Sequence, residues 1–261
     1  MGRDDDRAQG RHHQSLGARR GLRISLHSLV KSLADNKQLL GMRYAEWCTA
    51  APSLEADIAA AAMGLDDIGH SRVLYGSLRE LGGAEGTDSE PGYTNVPFLD
   101  RPWTDWSQFV AANAVLDSAF SLMIEALANG DVEVLRSRLK KMLQEEHYHE
   151  LHGRSWMRET NATADVADAW AQAIEWFGPD GNDVDQLRDD GKLSLGIRDL
   201  RRRLAERLEG GEPEVNVDWK AWDPVRRRTS PGGIDEQTLE MLQGLEEKRY
   251  MPAGGRDNPP P

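Results

Sequence analysis

Residues 66–70, DDIGH, and 145–149, EEHYH, each place a carboxylate and an imidazole three residues apart: Asp67 with His70, and Glu146 with His149. On a helix that spacing brings both side chains to one face, about one turn from each other. Outward from the first pair the seam reads Ala56, Ala60, Met63, Asp67, His70, Leu74, Ser77, Leu81. Outward from the second it reads Leu135, Leu139, Met142, Glu146, His149, Gly153, Trp156. In both helices the acid and the histidine take positions where an amphipathic helix needs apolar residues. Two such pairs point to a dinuclear metal site inside a helical bundle.

The rest of the chain supplies the other helices. From about Leu26 a spacing of four and three picks out Leu26, Val30, Leu33, Lys37, Leu40, Tyr44 and Trp47, with Lys37 as the one breach. Ala50-Ala51-Pro52 ends that helix, and Ser53 is a candidate N-cap for the second, with Glu55 and Asp57 in its first turn. This short connection predicts antiparallel neighbours. Gly82-Gly83 stops the second helix, and about twenty residues containing Pro91, Gly92, Pro97 and Pro102 follow as a long crossover. A third helix from about Thr104 has the seam Trp106, Val110, Asn113, Asp117, Phe120, Ile124, Leu127, and Asn129-Gly130 turns the chain into the fourth.

Short, long and short connections between four long helices predict an all-α, ferritin-like four-helix bundle with one long crossover. Beyond it the pattern predicts a helix over about 164–177, a Gly/Asp/Asn loop, a helix over about 195–208 and an extended arm over 209–233. Trp219, Trp222 and Pro224 of the arm are placed to lie across a neighbouring surface. A last helix is expected over about 235–250. The expected domain is 25–250, between polar, disordered tails at 1–24 and 251–261. His12 and His13, in the first tail, are read as incidental rather than as ligands.

Composition narrows the function. A net charge of −12 argues against a nucleic-acid binder, which needs a basic surface. A single cysteine, Cys48, rules out a disulfide within the chain, so any metal needs carboxylate and imidazole ligands. The sequence pattern holds no membrane span and no signal peptide, and a cytoplasmic protein is expected.

Asp67, Asp117 and Glu146 sit on three seams of one bundle. Burying three carboxylates together costs at least several kcal/mol unless a cation reverses their repulsion. A metal ion does this; so, in part, does a network in which His70 and His149 only hydrogen-bond to the acids. On helix one the seam level where a Glu is expected carries Tyr44, a candidate weak ligand or a hydrogen-bond donor to bound oxygen. Glu46 lies roughly 200° around from it and reads as a surface or pairing residue. His152 is one turn beyond His149 and could support it from outside, while Glu145 and Glu150 read as solvated surface.

These residues resemble the phenylacetyl-CoA epoxidase (ring-1,2-epoxidase) oxygenase subunits of phenylacetate catabolism. The similarity spans about 33–250 and is strongest in LADNKQLLGMRYAEWCTAAPSLEADIAAAAMGLDDIGHSRVLY (33–75) and KMLQEEHYHELHGRSW (141–156). AEWCTAAPSLEADIA (45–59), Tyr148-His149 and IDEQTLEMLQGLEE (234–247) are similar to that family's C-type chain, a ferritin-like partner without a working metal centre. Asp66 to His70 and Glu145 to His149 instead resemble the catalytic A-type chain, whose motifs have the form D-E-A-G-H and E-E-S-F-H. FGPDGND (177–183) does so too. Asp67 replaces a Glu of that pattern, and Tyr44 stands where a gap-free register puts another.

The resemblance implies an oxygenase-component subunit of a multicomponent monooxygenase, with di-iron held by Asp67, His70, Asp117, Glu146 and His149. It implies other oxygenase subunits and a separate reductase as partners in a hetero- or homo-oligomer, and an aromatic acyl-CoA as substrate. Two other expectations stand beside it: a non-catalytic C-type chain that scaffolds the catalytic one, and a ferritin-like storage or oxidase protein.

Overall fold

A computed structural model describes residues 5–81, 92–208 and 213–242, with side chains from Leu26 onward. Helix α1 runs Asp5–Glu46 and α2 runs Leu54–Glu80. The apolar seam of α1 begins at Leu26 as the spacing predicts, although the helical backbone starts earlier, at Asp5. The helix also ends four residues before the Ala-Ala-Pro stop. Hydrogen-bonded turns from Trp47 to Tyr44 and from Ala51 to Trp47 carry the chain around. Asp57 accepts from Ala51 N at 2.9 Å and Ser53 Oγ from Ala56 N at 3.2 Å, so the cap residues read from the sequence also close the connection.

The two helices run antiparallel and touch backbone to backbone. A Cβ on Gly41 would lie 2.8 Å from Gly64 O, and one on Gly64 would lie 2.9 Å from Gly41 O. Lys37 lies one turn before this contact on α1, and Asp67 lies just after it on α2.

The end of the crossover, from Gly92 on, lies along the polar side of α1. Asp35 accepts from Thr94 N and Oγ1, both at 2.8 Å, Asn36 Oδ1 accepts from Val96 N at 2.9 Å, and Ser32 Oγ donates to Thr94 O at 2.8 Å. Polar residues of α1 are thus buried because they satisfy a strand-like segment that has no ladder of its own.

Helix α3, Trp106–Ala128, is the centre of the bundle. Asp105 and Gln108 form its capping box, two residues later than the expected start. The sequence pattern suggests no span, yet by length and composition α3 is apolar enough to cross a membrane. Its most apolar window is 94% buried, so that surface is used on the core. Residues Ala112–Asp117 form a π-helical turn within it, a widening that periodicity does not foresee. Helix α4, Glu133–Glu159, packs on α3 and α2 and completes the bundle.

Beyond it come α5 (Thr163–Phe177), α6 (Asp183–Asp189) and α7 (Ile197–Arg207). Where the sequence suggests a loop after α5, Asn182 caps a short helix by accepting from Val184 N at 2.9 Å. From residue 213 on, the arm does lie across the neighbouring helices. Trp222 Nε1 donates to Glu175 O at 2.9 Å, and the buried Arg227 donates to Trp176 O, Phe177 O and Asp183. Arg228 pairs with Asp100 at 2.7 Å, tying the arm to the crossover. Residues 236–242 begin the last helix, with Asp235 Oδ1 accepting from Thr238 N. Its expected continuation to 250, the 251–261 tail and residues 209–212 of the arm lie outside the described residues, as do the side chains of the first tail, His12 and His13 included.

Candidate functional site

The four bundle helices each send one charged side chain to a common point: Lys37 from α1, Asp67 from α2, Asp117 from α3 and Glu146 from α4. All four are buried. The Lys37 ammonium has three protons and finds three carboxylate oxygens. It donates to Asp67 Oδ1 at 2.8 Å, to Asp117 Oδ1 and to Glu146 Oε1. Burial opposes its charge, but Asp117, Asp67 and Glu146 together hold its pKa well above the ordinary lysine value.

The remaining oxygens are mostly satisfied too. Asp117 Oδ2 accepts from Tyr44 OH at 3.1 Å and faces His149 Nδ1 at 3.0 Å; Ser121 Oγ donates to Glu146 Oε2. The π-helical turn ends at Asp117, and Asn113 within it donates from Nδ2 to His149 O at 3.1 Å, so the widened backbone locks α3 to the histidine helix. Asp67 Oδ2 alone has no hydrogen-bond partner. Burial and repulsion from Asp117 raise the Asp67 pKa. That of Glu146 falls well below its usual value, because Lys37 and the two histidines outweigh its burial.

Each histidine lies between carboxylates but is hydrogen-bonded through one ring nitrogen, His70 Nδ1 and His149 Nε2 being buried without a hydrogen-bond partner. His70 Nδ1 lies 2.9 Å from Glu146 Oε1 and 3.4 Å from Asp67 Oδ1, while its Nε2 meets Glu145 Oε2 at 2.8 Å. His149 Nδ1 meets Asp117, while its Nε2 lies 3.5 Å from Asp66 Oδ2. Thus the first acid of each string crosses to the histidine of the other. Burial works against both imidazolium charges, but Asp67 and Glu146 push the His70 pKa to about 10, and Asp117 with Asp66 pushes that of His149 to about 11. His152 has no such partner: burial and the charge of His149 lower it to about 4, and its neutral Nδ1 meets Asn113 Oδ1 at 2.8 Å.

All five expected ligands, with Tyr44, therefore meet at one place. Four of them, Asp67, Asp117, Glu146 and His149, offer donor atoms within 4.8 Å of one another, a set that could hold a metal ion. What stands among them is Lys37, the residue that breaches the helix-one pattern. The three central carboxylates carry a formal charge of −3, which Lys37 offsets by +1 and the two histidines as cations by +2, while Asp66 and Glu145 add −2 at the rim. With the ammonium at the convergence point, a metal ion could take these donors only by displacing Lys37.

Sequence reasoning gives Lys37 no role, reads Glu145 as surface and assigns nothing to Asp66, although Glu145 holds the outer nitrogen of His70 and Asp66 faces that of His149 at 3.5 Å. The doubled acids, Asp66-Asp67 and Glu145-Glu146, are the available signal: neighbours on a helix point about 100° apart, so one faces the seam and the other the adjoining helix. Glu46 pairs with Arg43. Glu150, expected as solvated surface, lies 3.6 Å from Arg207.

Fold and site together define a ferritin-like helical bundle whose centre is a buried ionic cluster of carboxylates, a lysine and two histidines. The chain belongs to the Phenylacetic acid catabolic protein family, which it matches over residues 17–229. It is similar to the C component of the 1,2-phenylacetyl-CoA epoxidase of Escherichia coli (strain K12). The two are 26% identical over 236 residues, covering 84% of this chain and 94% of that protein.

Proposed function

We propose that this chain is a non-catalytic, C-type component of a phenylacetyl-CoA-epoxidase-type oxygenase, serving to scaffold the catalytic component in phenylacetate catabolism. The observation that carries this reading is the Lys37 ammonium among Asp67, Asp117 and Glu146. Oxygen activation at a carboxylate-bridged metal pair requires an open position for dioxygen. Lys37 stands among the three carboxylates, its three donors taking one oxygen of each, which supports this reading. Similarity to the epoxidase's C component over most of both chains supports the C-type assignment.

The test is co-expression with an A-type oxygenase chain. We expect the two to co-elute as a stable complex, iron to travel with the A-type chain, and epoxidation of an aromatic acyl-CoA to require that chain's metal. The rival reading is an oxygenase component with iron at Asp67, His70, Asp117, Glu146 and His149, and Tyr44 beside it. It draws on the four donor atoms within 4.8 Å. It requires Lys37 to leave and both imidazoles to lose a proton. Retention of about one or more irons per chain after anaerobic reconstitution of the chain alone, with turnover, would establish the rival.

A further inference from the structure

We propose that Lys37 and a divalent cation compete for one place in this bundle, so that removing the ammonium opens a four-donor site for a single ion at Asp67, Asp117, Glu146 and His149. The inference rests on reading the natural chain as metal-free. Geometry supports it. An ammonium holds oxygens at hydrogen-bond distance, here 2.8 Å for Asp67 Oδ1. A transition-metal ion holds oxygen or nitrogen at about 2.0–2.2 Å. Four donor atoms already within 4.8 Å of one another need to move inward by under about 1 Å each to surround an ion.

The donors come from α2, α3 and α4. None is on α1, so deleting the Lys37 side chain removes the competing cation without removing a ligand. Asp67 Oδ2 has no hydrogen-bond partner and is free to coordinate. Three carboxylates and one imidazole suit Mn2+, Fe2+, Co2+ or Zn2+. The stoichiometry is one rather than two. A metal pair needs donors for two ions about 3.5–4 Å apart, whereas the set that converges within 4.8 Å has four donor atoms, enough for one ion.

Co2+ is the probe, because its visible spectrum reports coordination directly. The full chain is compared as wild type, Lys37→Ala and Lys37→Gln, with uptake measured by equilibrium dialysis and thermal unfolding followed with and without the ion. We expect wild type to retain under about a tenth of an equivalent, and Lys37→Ala to retain about one, with ligand-field bands and a Co2+-dependent rise in Tm. Adding His149→Ala to Lys37→Ala should lower the affinity at least about tenfold.

Lys37→Gln keeps an amide donor for the carboxylates and carries the test if the alanine variant does not fold without metal. A folded Lys37 variant that takes up no Co2+ overturns the inference and leaves the scaffold reading standing. Failure of both variants to fold even when refolded with Co2+ overturns it as well. Stoichiometric Co2+ in wild type overturns both the competition and the metal-free reading. Failure to bind an A-type chain, with Co2+ uptake as expected, overturns the scaffold role alone.

Discussion

At Lys37, three charge-assisted hydrogen bonds converge on one nitrogen, and its replacement by a neutral residue leaves three carboxylates facing each other. Removing one partner of a buried ion pair costs about 3–5 kcal/mol, largely because of the charges left behind. Lys37→Met, which keeps most of the volume, should therefore lose about that much in urea unfolding. A loss under about 1 kcal/mol would show that the carboxylates are already largely protonated. The acids and histidines of this site are legible from spacing, because i, i+3 pairs on a seam have few physical explanations. The lysine is not, because a lone cation on an apolar seam acquires meaning only when the levels of four helices are known. Tyr44 shows the same limit: its place on the seam is readable, but its hydrogen bond to Asp117 depends on how α1 and α3 are set against each other.

Among the elements, the α1–α2 pair fixes the site, and its contact turns on Gly41 and Gly64. A methyl group at Gly41 would meet Gly64 O at 2.8 Å and Ile68 N at 2.9 Å, both backbone atoms that move only if the helices part. Gly41→Ala should cost about 1–3 kcal/mol despite alanine's better helix propensity. Gly69, further along α2, has no atom within 4 Å of the same position, and Gly69→Ala should stabilise by about 0.5–1 kcal/mol. Thermal unfolding of the two variants should give shifts of opposite sign; equal shifts would mean that the helices can slide apart freely. Helix positions and the Ser53 cap are readable from apolar period and cap chemistry. The π-helical turn that presents Asp117 is not, since it adds no residue type and breaks no seam.

For the molecule as a whole, the centre links stability to pH with a definite sign. Both histidines have folded pKa values, about 10 and about 11, above the roughly 6.5 of an unfolded imidazole. Their contribution is complete below about pH 6.5 and is lost as pH rises through 10–11, because the unfolded chain gives up those protons first. The urea midpoint should fall steadily from pH 7 to pH 10. A midpoint that climbed over that range would mean that the imidazoles are buried neutral. The bundle and its crossover follow from connection lengths, whereas the packing of the arm through Arg227 and Arg228 does not, since arginine-rich loops usually face water.

The cation at the middle of this bundle is part of the polypeptide. A metal-centred bundle must wait for an ion at whatever concentration its surroundings provide, and it is vulnerable to the wrong ion arriving first. Lys37 is delivered by folding itself, in fixed proportion and with no dependence on supply. On the scaffold reading proposed above, the central cation is therefore in place from the moment the four helices close.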